Sequence, residues 1–147
     1  YIDVPMPIDY IHFDLIEQLE QLEPFGKGNE KPLFAQKNLK VLSARVMGRN
    51  ANLLKLELES ESGARMEGIY FEVEAFMENI KAWFGEAEWD QMMKGWLNKV
   101  ALDIAYYPSI NEYNGIRAMQ IVIKSYLPHT LDFSRESPYT DTNEERR

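Results

Sequence analysis

A mainly β domain with helices, folded as a five-stranded Greek-key barrel, is the architecture that this sequence predicts. Three observations carry the prediction. Three segments alternate apolar with polar residues, a stretch of helical period follows them, and two more alternating segments close the pattern. The 147 residues fit one domain, and at this size folding buries roughly 68–70% of the surface that the unfolded chain exposes, enough for a core of its own.

The chain opens on Tyr1 rather than Met, with residues 2–11 reading as extended around Pro5 and Pro7, so a fragment of a longer protein is expected. Phe13, Ile16, Leu19 and Leu22 then recur at helical spacing, with Asp14, Glu17 and Glu20 between them, and Pro24 stops this short amphipathic helix. Phe25-Gly26-Lys27-Gly28-Asn29 is turn-forming sequence. Residues 33–46 form a long strand, with Leu39, Val41, Ala44 and Val46 at buried positions on either side of a bulge. After a turn at 48–52, Leu54, Leu56 and Leu58 alternate with Lys55, Glu57 and Glu59 as a half-buried strand. A third strand, 65–71, completes a meander.

Between residues 73 and 97 the period becomes helical. Phe76, Ile80, Trp83 and Phe84 share one face, Trp89, Met92, Met93, Trp96 and Leu97 follow Gly85, and two helices are implied. Val100, Leu102, Ile104 and Tyr106 alternate again, 108–115 reads as a loop, and 116–126 supplies the last strand. Three strands, a helical connection and two strands is the order of an OB-fold, although an SH3-like barrel or an α+β sandwich gives similar patterning and the barrel needs a second line of support. The expected organisation is therefore a lead-in over 1–32, an OB domain over 33–127 with a helical insertion at 72–98, and a polar tail over 128–147.

Composition excludes several functions. The absence of cysteine removes disulfides, thiolate catalysis and cysteine-held metal, and with no apolar run near 18–20 residues and no basic-then-apolar leader a cytoplasmic location without membrane contact is expected. The net charge of −8 argues against a strong nonspecific nucleic-acid binder, which needs Lys and Arg to displace phosphate counterions. The charge is unevenly spread, however. Residues 35–71 carry six basic side chains against four acidic ones, whereas 1–30 hold seven acids with Lys27 alone, and 72–98 hold six acids with Lys81 and Lys94.

Two motifs resemble a known family. Pro24-Phe25-Gly26-Lys27-Gly28-Asn29, continuing through Pro32 to Phe34, is similar to the signature that leads into the OB domain of the RecJ single-strand-specific exonucleases, and Tyr107-Pro108-Ser109-Ile110-Asn111-Glu112-Tyr113-Asn114-Gly115 with Met119 to Lys124 is similar to the family's final hairpin. The resemblance spans roughly residues 14–126. It implies a parent hydrolase that degrades single-stranded DNA from the 5′ end in recombination and repair, with a divalent metal, Mg or Mn, in a catalytic core. No Asp-His-His run is present and His12 and His129 stand alone, so no catalytic or metal-binding residue carries over and this chain itself is expected to hold no cofactor. The long aromatic insertion at 72–98 departs from the family pattern.

An OB-fold binds a single strand across its second and third strands, between the loop joining strands one and two and the loop joining four and five. Here those loops offer Arg49 and Asn50 on one side and Asn111, Tyr113 and Asn114, followed by Arg117, on the other. Single-strand binding combines cations along the backbone with aromatic faces for the bases. Arg45, Arg49, Lys55, Arg65 and Arg117 are candidates for the first, and Tyr70, Tyr107 and Tyr113 for the second. Against this stands the plainer reading of solvated strand cations and half-buried packing tyrosines. The Gly26–Gly28 loop could offer N–H groups to a phosphate, but no helix follows it and a tight turn is the better reading, with Phe25 as a packing anchor. Glu74 with Glu78, and Glu57 with Glu59, share faces yet lack the further oxygens that a hard cation needs.

The function that follows is an accessory single-stranded-DNA-binding domain working with the catalytic core of its own parent protein. The alternative is a protein-interaction module whose acidic aromatic helices dock the nuclease core or a repair partner, with core packing as the favoured role for the tryptophans and methionines of that stripe.

Overall fold

In the computed structural model the described residues are 4–22 and 32–130. The glycine loop with Phe25, and the tail from residue 131, lie outside them. The chain order is β1 (Val4–Pro5), a 3₁₀ turn (Ile8–Tyr10), α1 (Phe13–Glu20), β2 (Phe34–Met47), β3 (Leu53–Glu59), β4 (Arg65–Tyr70), α2 (Val73–Phe84), α3 (Glu86–Met93), β5 (Ala101–Tyr113) and β6 (Ile116–Pro128).

Five of these strands close on themselves in the order β2-β3-β4-β6-β5, with β5 returning to β2, and β1 adds in parallel to the first two residues of β2. The closed five-stranded barrel expected from the pattern is therefore present, helices included. Its closure rests on β2 serving two neighbours. Residues 34–40 pair with β5 and 40–47 with β3, and the register slips between Gln36 and Leu39 and again between Val41 and Ser43. Asn38 sits between the first pair with φ of 59°, a conformation Asn tolerates better than most residues. Such irregularities bend a strand and let it turn from one sheet direction into another.

Inside, Leu39, Val41 and Ala44 of β2 meet Leu54, Leu56 and Leu58 of β3 and Ile121 and Ile123 of β6, all buried. The lead-in belongs to the same core, since Ile8, Ile11 and Ile16 are buried in it and Tyr106 donates its hydroxyl hydrogen to the Met6 carbonyl at 2.6 Å. Burial pushes the Tyr106 phenol pKa well up. The insertion contributes too: Phe76 lies 5.0 Å from Tyr126 and 6.4 Å from Trp89, ring centre to ring centre, and Ile80 and Met92 are fully enclosed.

Three sequence expectations are corrected. Val46 is 39% exposed although it shares the inward phase of the buried Ala44, since it lies one residue from the end of β2. The segment 108–115 is strand up to Tyr113, followed by a two-residue turn in which Asn114 and Gly115 have φ of 53° and 78°. Both central residues of a type I′ turn need positive φ, and Asn-Gly suits it. Pro108 is tolerated there because β5 pairs with β2 only as far as Tyr106, so at Pro108 one side of the strand needs no donor. Trp96 and Leu97 fall beyond α3, which stops at Met93.

Gly68 pairs with Leu56 on one side and Ile121 on the other, and a Cβ placed on it would stand 3.0 Å from Leu58 Cδ1 and 3.1 Å from Ile123 Cδ1. The barrel closes there without room for a side chain. Gly68→Val is expected to cost roughly 1–3 kcal/mol through overpacking, read as a lower urea midpoint at unchanged m-value; an unchanged midpoint would show that the seam can relax.

Candidate nucleic-acid interface

The outer face of β2, β3 and β4 is built by alternation: with the leucines of β3 turned inward, Lys55, Glu57 and Glu59 face out, beside Ser43 and Arg45 of β2 and Arg65 and Glu67 of β4. Arg45 stands directly opposite Lys55, and Glu57 opposite Glu67. Like charges set across a ladder repel, and neighbouring side chains of opposite sign answer them. Glu67 reaches Arg45 at 3.9 Å and Lys55 at 3.6 Å, while Arg65 reaches Glu57 at 3.7 Å and Glu59 at 3.4 Å. Three cations and three carboxylates thus balance on the face, each pair worth about 0–1 kcal/mol at the surface. This lattice is neutral, so the local positive excess read from the sequence stays with Lys37, Lys40 and Arg49, set against Glu61 outside it. Lys40 and Arg49 make no ion pair among the described residues.

The two flanking loops sit at opposite ends of this face. Leu53 and Leu54, which follow the 48–52 turn, lie at the Tyr70 end of β4, whereas the parallel pairing of Glu67 with Gln120 carries the start of β6, and with it the hairpin tip, to the Arg65 end. At about 3.3 Å per residue the ends are roughly 20 Å apart. Arg49 and Asn50 are exposed at one end; Tyr113, 73% exposed, and Asn114 are exposed at the other, with Asn111 partly covered.

The remaining candidates have structural duties. Arg117 is 2.9 Å from Glu17, with its guanidinium 5.1 Å from the centre of the Phe13 ring, and so ties the hairpin to α1. Tyr70 is half-buried edge-on to Tyr126, and burial first, then Tyr126 and Glu72, raise its phenol pKa. Tyr107 is only 4% exposed on a strand enclosed from Ile104 to Pro108. Neither of these two tyrosines offers a free ring face to a base, and Tyr113 does.

Two side chains that the sequence reading did not assign to DNA border the face. Lys40 is one. Trp96 is the other: it is 58% exposed, with Leu97 beside it at 94%, and both line a groove of about 540 Å3 against β2 and β3. Gly95 could have signalled this, since a glycine after a helical run marks the left-handed stop that places the next residue outside the helix. Trp89, in contrast, is buried. Among the described residues no three His, Asp or Glu side chains gather where they could hold a metal, and Glu57 and Glu59 serve Arg65. His12 caps α1, its Nδ1 accepting from the Leu15 N–H at 3.2 Å, and His129 lies 2.8 Å from Asp103. No described helix is long and apolar enough to cross a membrane.

A closed barrel with strands three and five in parallel contact, helices between strands three and four, and loops at both ends of the outer second and third strands is an OB-fold. A family model described as the RecJ OB domain matches residues 2–125, and the chain belongs to that family. Among solved structures it is similar to the mitochondrial single-stranded DNA binding protein Rim1 of S. cerevisiae, at 8% identity and a TM-score of 0.38, over 65% of this chain and 90% of that one. No curated protein matches the chain in sequence.

The tyrosines separate cleanly in a stability measurement. Tyr107→Ala is expected to cost roughly 3–5 kcal/mol, as for other large enclosed aromatics, and Tyr113→Ala to stay within about 0.5 kcal/mol. Equal costs in urea unfolding would contradict the placement of one in the core and the other at the tip.

Proposed function

We propose that this is the accessory single-stranded-DNA-binding domain of a RecJ-type exonuclease, guiding a strand in recombination and repair toward a catalytic core elsewhere in the same cytoplasmic protein. The divalent metal of such a hydrolase belongs to that core. The observation that carries the reading is the outer face of β3 and β4 in a RecJ OB domain, with an exposed Arg49–Asn50 turn at one end and an exposed Tyr113–Asn114 tip at the other. A strand laid across it meets Arg45, Lys55 and Arg65 on the way. Each of these cations exchanges a carboxylate for a phosphate, so the contact is weak and specific to no base sequence.

Fluorescence anisotropy with a labelled oligonucleotide tests this. Expected is weak binding that falls as salt rises, with a log–log slope of roughly −0.7 per phosphate contact, and that drops on Arg49→Ala with Tyr113→Ala. Glu67→Gln releases Arg45 and Lys55 together and should tighten binding about two- to five-fold, the scale of one exposed ion pair. Absence of binding at low salt overturns the function, whereas binding indifferent to all three substitutions refutes the surface assigned to it.

A further inference from the structure

The groove beside Trp96 is shaped by how α3 ends. Gly95 takes φ of 72°, its N–H donates to the Met92 carbonyl at 3.0 Å, and the Trp96 N–H reaches back to the Gln91 carbonyl at 2.9 Å. That double bond pattern is a Schellman stop, in which the residue after the glycine ordinarily packs its side chain back on the helix. Here the indole stays out. Asn98 then pins the loop to the barrel, its amide donating to the Trp96 carbonyl at 3.0 Å and the Val41 carbonyl at 3.1 Å, while its own oxygen accepts from the Val100 N–H at 2.8 Å. Glu88 accepts from the Lys99 N–H at 2.6 Å. Trp96 is therefore an exposed aromatic on a loop held by six hydrogen bonds.

Its surroundings are cationic at the edges. The Lys94 ammonium lies 4.6 Å from the centre of the indole ring, and Lys40 and Arg65 line the groove. The groove shares Ser43, Glu57 and Arg65 with a second recess of about 480 Å3 that continues past Arg45 and Lys55. The two form one track across the outer face. Lys40, Arg45, Lys55 and Arg65 line it with Glu57, Glu59 and Glu67, and Lys94 stands at its Trp96 end, in a chain whose net charge is −8.

We infer that Trp96 is a base-stacking platform for single-stranded nucleic acid, added to the barrel face by the helical insertion, with Lys94 and Lys40 placed for the flanking phosphates. The inference rests on the proposed function and extends it to a residue outside the strands and loops that an OB-fold ordinarily uses. A rigid aromatic beside spaced cations is the combination that holds single strands without regard to sequence. A protein partner fits less well, because Trp96 and Leu97 stand as a small apolar island among charged groups, whereas a protein interface keeps charge out of its centre.

The test measures anisotropy of a fluorescein-labelled oligothymidylate with the 147-residue chain, its Trp96→Ala and Trp96→Phe variants, and the Arg49→Ala/Tyr113→Ala double variant, together with photo-crosslinking to an oligonucleotide carrying 5-iodouracil. Expected is a loss of roughly 5- to 100-fold in affinity for Trp96→Ala, most of the affinity kept in Trp96→Phe, and a crosslink mapped to Trp96 by mass spectrometry. Binding that falls in the double variant but is untouched by Trp96→Ala, with no crosslink at Trp96, overturns this inference and leaves the proposed function standing. No binding by the parent chain overturns both. A parent chain that ignores the oligonucleotide yet self-associates in sedimentation, less so as Trp96→Ala, assigns the island to protein contact instead. Should Trp96→Ala unfold, the phenylalanine variant and the crosslink decide.

Discussion

The three pairs that join β4 to β6 in parallel, Glu67 with Gln120, Gly68 with Ile121 and Ile69 with Val122, turn a meander and a hairpin into a barrel. Everything outward follows from that seam. It requires Gly68, because the methyl groups of Leu58 and Ile123 already occupy the space a side chain would take. It also fixes the heading of the final hairpin, which must leave the barrel at the Arg65 end of β4 and so lies across the face from the 48–52 turn. Opening the seam would expose strand edges on β4 and β6, which closure pairs with each other.

The insertion between β4 and β5 draws on the same core. Phe76, Ile80, Trp89 and Met92 are buried, so α2 and α3 are part of the domain's packing, and the aromatic contacts from Tyr70 through Phe76 to Tyr126 tie them to strands on either side of the seam. Trp96 and Leu97 are what the packing leaves over. A helix that ended one turn later would have carried Trp96 along its own axis; the stop at Gly95 sends it toward β2 instead.

Much of the fold was legible because its strands are half-buried. Leu54, Leu56 and Leu58 alternate strictly, and a period of two can only be satisfied by one inward face. The hairpin was harder to read, since Pro108 signals a break unless its missing donor falls at an unpaired side, and which side is unpaired depends on where β2 stops. That is tertiary information. The candidate site was legible as a set of positions and not as a charge state. Register alone brings Glu67 within reach of both Arg45 and Lys55, and residues so far apart in sequence give no hint of it. Tyr70, Tyr107 and Tyr113 are chemically identical, yet only the last lies beyond the reach of a covering element.

A face on which every central cation already has a carboxylate would be a poor choice for a protein that must seize DNA unaided. On the proposed reading it suits a tethered domain. A strand held at a neighbouring catalytic site meets this face at an effective concentration set by the connection, near the millimolar range for short flexible linkers, so a weak contact is occupied anyway. On the same reading weakness has a use, because a strand that is being shortened must shift its register on the face. Exchanging phosphate for Glu67 at Arg45 and Lys55, and for Glu57 and Glu59 at Arg65, would keep these cations paired in both the gripped and the released states, with the carboxylates left to water in the gripped one.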